Sequence, residues 1–116
     1  MNITIYHNPR WSKSRESVKI LKKECNSFRI VEYLKESIDK KTIQDILNIL
    51  NVNVLYLIRK NDKKFKDLNL SENEINNSNL LIDLIIKYPK IMQRPIILNK
   101  DKGIIGRPPE NIYNIL

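Results

Sequence analysis

Apolar and polar positions alternate at the start of the chain. Within residues 2–6, Ile3 and Ile5 are separated by polar neighbours, a period of two that predicts a short strand, and His7-Asn8-Pro9 breaks it. The period then turns helical. Val18, Leu21 and Cys25 recur at helical spacing, Ser12 or Ser14 is the expected cap, Glu16 lies in the first turns, and Asn26-Ser27 is the stop. Residues 28–34, with Phe28, Ile30 and Tyr33 among the apolar members, predict a second strand. A helix capped by Ser37 or Asp39 follows, its apolar stripe made by Ile43, Ile46, Leu47 and Leu50. After a weak break at residues 51–53, helical character continues to Arg59. Residues 60–66 read as a lysine-rich solvated surface and residues 71–78 as a loop or short helix. Residues 79–87 predict an apolar helix ending near Tyr88-Pro89.

Arg94-Pro95 introduces a strand at residues 96–98, a turn at 99–102 and a further strand at 103–105, which together read as a hairpin. Pro108-Pro109-Glu110 starts a terminal helix carrying Ile112, Ile115 and Leu116, with proline in the first turn, where its missing N–H costs nothing. Strand, helix, strand, helices, strand, strand, helix describes an α/β domain with a small mixed β-sheet flanked by helices. The 116 residues suit a single domain, residues 1–116, without internal repeat or linker.

No apolar run approaches the ~20 residues of a membrane helix, and the N-terminal residues do not resemble a signal peptide, so a cytoplasmic protein without membrane attachment is expected. A single cysteine excludes an internal disulfide and a cysteine-only metal cluster, and no metal site is expected. The net charge of +8 invites a nucleic-acid reading. However, lysine, asparagine and isoleucine are abundant throughout, so the basicity reads as a bias of composition and nucleic acid is disfavoured as a partner. The six arginines are placed differently: Arg10 and Arg15 bracket the opening turn, and Arg94 and Arg107 each precede a proline.

The stretches "YHNPRWSKSRES", "LIRK", "QRPIIL" and "GRPPE", in this order and spacing, resemble the glutaredoxin-coupled arsenate reductase family. That resemblance covers essentially the whole chain and implies a thioredoxin-like fold. Such folds keep a cis-proline where Pro95 begins the late strand. In the family, His-Asn-Pro and one further residue precede a nucleophilic cysteine at the head of the first helix. Its thiolate attacks arsenate, glutathione displaces the adduct and glutaredoxin resolves the mixed disulfide. A helix N-terminus lowers a thiol pKa and its N–H groups hold an oxyanion.

In this sequence Trp11 occupies the nucleophile position. An indole has one N–H donor and no nucleophilic lone pair, so the chain is expected to be impaired or inactive as a reductase, a pseudoenzyme of the family. Cys25 is fourteen positions further on, about 20 Å along one helix, and is expected to be a buried, inert thiol. The resemblance assigns oxyanion binding to Arg59, Arg94 and Arg107, whose planar forks suit arsenate, phosphate or sulfate. It places His7 and Ser14 beside the nucleophile position. His7 either helps hold an anion or fixes the turn; Ser14 either hydrogen-bonds there or caps the helix. Arg15 is expected to pair with a local carboxylate. Trp11 is either an exposed docking knob or a cover folded over the pocket. No bound cofactor is implied; glutathione is the co-substrate and glutaredoxin the partner in active relatives. The alternative reading is a non-catalytic oxyanion-binding or protein-docking module related to thioredoxin-fold transcription regulators.

Overall fold

The structure is a computed structural model that describes residues 2–116. The chain forms two compact units, one built from the residues up to Glu36 together with Arg94–Leu116, the other from Ser37–Gln93.

The first unit holds strand β1 (Ile3–His7), helix α1 (Ser12–Glu24), strands β2 (Arg29–Glu32), β3 (Ile96–Asn99) and β4 (Lys102–Ile105), and a terminal 3-10 helix, Pro109–Asn114. The strands make one mixed sheet in the order β2-β1-β3-β4. β1 runs parallel to β2 and antiparallel to β3, and β3 runs antiparallel to β4. This is the expected α/β, thioredoxin-like arrangement of a small mixed sheet with helices. The register aligns Ile30, Ile5, Ile97 and Ile104 in one cross-strand row. Side chains alternate faces along a strand, so the row repeats on the face that also carries Ile3. Ile5 and Ile97 are fully buried, joining Leu21 and Cys25 of α1 and Ile112 and Ile115 of the terminal turn in one core cluster. Each such isoleucine contributes roughly 1.5–3 kcal/mol.

Close approach is set by small residues. Ser14, Ser17 and Leu21 form the buried face of α1, and the Ser17 hydroxyl is satisfied by donating to the Lys13 carbonyl at 2.8 Å. Gly106 is buried, and its N–H donates to the Pro95 carbonyl at 2.8 Å. A Cβ there would stand 2.8 Å from both Pro95 Cγ and Ser17 Oγ. The terminal 3-10 helix is tied to the hairpin: Asn99 Nδ2 donates to the Ile115 carbonyl and Asn111 Nδ2 to that of Ile105. Both Arg94-Pro95 and Arg107-Pro108 are cis.

Two expectations shift in this unit. The second strand is shorter than residues 28–34, because Tyr33 and Leu34 enter a turn in which Lys35 N–H and Glu36 N–H both bond the Glu32 carbonyl. The terminal helix is 3-10 in form. Pro108 and Pro109 remove two backbone donors at its start.

In the second unit, α2 (Lys40–Leu50) is capped by Asp39, which accepts Thr42 N–H at 2.8 Å, and ends on Asn51 in the left-handed region at φ 56°. Asparagine tolerates that conformation. A 3-10 turn, Val54–Leu57, replaces the helical continuation predicted to Arg59. Helices α3 (Lys63–Leu68), α4 (Glu72–Ile75) and α5 (Ser78–Lys87) are capped by Asp62, Ser71 and Asn77, with a reciprocal Ser71–Glu74 capping box on α4. α3 falls partly within the lysine-rich stretch read as surface. Its lysines are exposed, but the segment is helical. α5 packs on α2 and on the Val54–Leu57 turn, burying Leu81, Ile82 and Ile85. Among the described residues, no helix is long and apolar enough to cross a membrane.

Candidate functional site

The turn between β1 and α1 is built from side chains that bind its own backbone. β1 ends at His7, which is buried, and Asn8 is only 2% exposed. Asn8 Oδ1 accepts the Arg10 N–H at 3.1 Å, and the Asn8 carbonyl accepts the Trp11 N–H at 3.1 Å, a local loop of the kind asparagine favours. Trp11 is the N-cap of α1, with extended φ and ψ, and no side chain caps the first-turn N–H groups. Neither Ser12 nor Ser14 is the cap. Ser14 lies fully buried in the first turn, with His7 Nδ1 at 2.5 Å from its Oγ and the Asn8 N–H donating to the same oxygen at 3.0 Å. One hydroxyl thus locks the end of β1 to the start of α1.

His7 faces Glu32 in the parallel register. Its pKa lies below the ordinary value, chiefly because burial penalises the imidazolium; Glu32 works against that shift and Arg15 adds to it. In the His7–Ser14 contact either the hydroxyl donates to Nδ1 or Nδ1–H donates to Oγ, according to the tautomer. Arg15 donates to the Pro9 carbonyl at 2.9 Å, so its partner is a backbone oxygen where a carboxylate was expected. Extended toward the turn, its guanidinium satisfies an acceptor that the proline kink leaves outside the sheet.

Trp11 is 43% exposed, and its ring lies over Arg94, whose guanidinium carbon is 3.7 Å from the ring centroid. Arg94 itself is 3% exposed. The indole is thus both partly exposed and stacked on the arginine as a cation–π pair. Arg107 belongs to the same unit and is exposed. Arg59 belongs to the second unit, where its Nη1 donates to Asp62 Oδ2 at 3.1 Å. Asp62 is doubly engaged, since its other oxygen accepts the Lys64 N–H at 2.8 Å as the cap of α3.

Sequence reasoning passed over Asn8 and Asp62. Asn8 was read as a strand breaker, although asparagine before a helix is itself a signal for a side-chain-built turn. Asp62 stands three residues after Arg59, a spacing that allows an ion pair. Cys25, the sole thiol, is the C-cap of α1, at the opposite end of the helix from Trp11. It is buried, and burial, with Glu24 nearby, pushes its pKa up. Among the described residues no group of three histidine, cysteine, aspartate or glutamate side chains is placed to hold a metal ion.

The chain is similar along its length to known proteins. The protein YfgD of Escherichia coli K12 is 39% identical over 98% of this chain and 96% of its own length. A Haemophilus influenzae protein named arsenate reductase is 35% identical over the full length of both. The structure of the arsenate reductase from Vibrio cholerae superposes with a TM-score of 0.93 at 31% identity, covering 100% of this chain and 98% of that one. With the sequence from Tyr6 through Ile115 matching the family pattern, the chain belongs to the ArsC family.

Proposed function

We propose that this chain is an arsenate-reductase-type protein that has lost thiol-dependent reduction and keeps the means to hold a tetrahedral oxyanion. The observation that carries the reading is the position of Trp11. It caps α1, where the family's cysteine would gain a lowered pKa from the helix N-terminus, and its indole lies on Arg94. Reduction of arsenate needs an electron pair from a nucleophile at that point, and an indole has none to offer. Cys25 does not replace it, being buried one helix length away, about 20 Å by helical rise. Arsenate as the guest is supported by the names of the Haemophilus influenzae and Vibrio cholerae relatives. Arg94 and Arg107, both in the first unit, are the groups we assign to the anion, and His7 with Ser14 holds the turn that presents the helix start. Glutathione and glutaredoxin are the reductants an active relative would use; this chain has no thiolate at Trp11 for them to act on.

The test is arsenite formation in the presence of glutathione and glutaredoxin. The unmodified chain is expected to show no turnover above the protein-free reaction, and Trp11→Cys is expected to gain it. Robust turnover by the unmodified chain overturns the loss, and a well-folded but silent Trp11→Cys overturns the retained site.

A further inference from the structure

A cleft of about 510 Å³ runs along α1, on the first unit. His7 and Ser12 stand at its head, Val18 supplies an apolar patch, and Arg15, Lys19 and Lys22 follow along its length. These cations recur at i, i+4 and i+7, one stripe of a helix about 10 Å long at ~1.5 Å per residue. All three are exposed. Arg15 is held in position by its bond to the Pro9 carbonyl.

We propose that this cleft is a docking groove for an acidic peptide segment of a partner protein. The charge pattern selects that occupant. Three cations in a row over two turns suit carboxylates spaced along a peptide. Glu16 also lines the cleft. Glu16 repels phosphate and carboxylate alike, but a polyphosphate or nucleic-acid backbone presents only acceptors there, whereas a peptide also offers backbone N–H donors that this carboxylate can accept. Val18 then takes an apolar side chain of the same segment. The groove requires no chemistry at Trp11, though it shares His7 with the turn at the head of α1.

The experiment uses the full chain and a short fluorescein-labelled peptide of alternating glutamate and alanine, read by anisotropy and by NMR. Binding is expected to move the amides of Ser12, Val18, Lys19 and Lys22 and the imidazole of His7, which needs no assignment because the chain has a single histidine. The double reversal K19E/K22E is expected to weaken binding about tenfold, while K63E/K66E on α3, the same change in net charge, moves it less than about twofold. Circular dichroism checks that both variants are folded. Equal weakening by the two pairs would mean that net charge alone binds the peptide, and the proposal fails. It fails equally if shifts scatter over surface lysines outside α1, or if a short inorganic polyphosphate occupies the groove more tightly than the peptide.

Discussion

The guanidinium carbon of Arg94 stands 3.7 Å from the centroid of the Trp11 ring, a half-exposed indole lying on a buried arginine. The residue at the head of α1 therefore also lies over a buried charge. Such a stack is worth roughly 0.5–2 kcal/mol according to how far it is desolvated. A double-mutant cycle of Trp11→Ala and Arg94→Met is expected to return a coupling near 1 kcal/mol in urea unfolding. Trp11 is the only tryptophan, so Arg94→Met should also shift intrinsic fluorescence. Additive single effects with an unchanged emission spectrum would refute the stack.

Ser14 closes the β1–α1 turn through two contacts on one oxygen. Ser14→Ala leaves the buried Asn8 N–H and the His7 ring without that partner, and an unsatisfied buried polar group costs about 1–3 kcal/mol. The expected result is a loss of that size in chemical denaturation, with the Asn8 amide exchanging faster with solvent. A loss below about 0.5 kcal/mol would show that the turn is held elsewhere.

His7 makes stability depend on pH in a defined direction. Its folded pKa lies below the ordinary 6.5, with burial the leading cause. Between the folded value and 6.5 the unfolded chain binds the proton more readily, so unfolding free energy rises with pH across that window. The contribution is present above 6.5 and is lost as pH falls toward the folded value. NMR titration of the one imidazole gives the folded pKa directly, and His7→Gln should flatten the dependence in this range.

Gly106 faces Pro95 and Ser17 so closely that an added Cβ would meet both at 2.8 Å. Both neighbours are held in place, one in a strand-initiating ring and the other by its bond to Lys13. Gly106→Ala is expected to destabilise by about 1–3 kcal/mol, the usual cost of overpacking, as read from the urea midpoint. An unchanged midpoint would show that β4 can move away from α1.

Cys25 packs among Ile3, Ile5, Leu21 and Ile97 and has a raised pKa. Its reaction with an aromatic disulfide reagent is expected to be slow in buffer and fast in denaturant, with the native rate following global opening. Rapid labelling of the folded chain would contradict this burial and would reopen the question of a usable thiol.

Periodicity was sufficient for β1, α1, α2, α5 and the β3–β4 hairpin, because each has an apolar pattern that only one backbone period can bury. α3 was missed as a helix for the converse reason: Lys63–Leu68 offers only Phe65 and Leu68 as an apolar pair, and its local cues are the caps, Asp62 and the left-handed Asn69. The second strand was read too long because Tyr33 is apolar and fully buried, yet it lies in a turn; burial is a property of the surroundings, not of the period. At the candidate site the residue types were legible and their partnerships were not. Ser14 looked equally suited to capping α1, and only the approach of His7 and Asn8 decides that its oxygen serves the turn.

The sequence by itself determined the order of elements, the family motifs and the absence of sulfur at position 11, since these are local facts of residue type and spacing. Tertiary structure alone decided that Arg94 is buried beneath Trp11, that Arg59 is committed to Asp62, and that Gly106 has no room for a side chain. The reason is physical: Trp11 and Arg94 are far apart along the chain, and nothing in either residue's own neighbourhood reports a distance that exists only after β1 and β3 have paired.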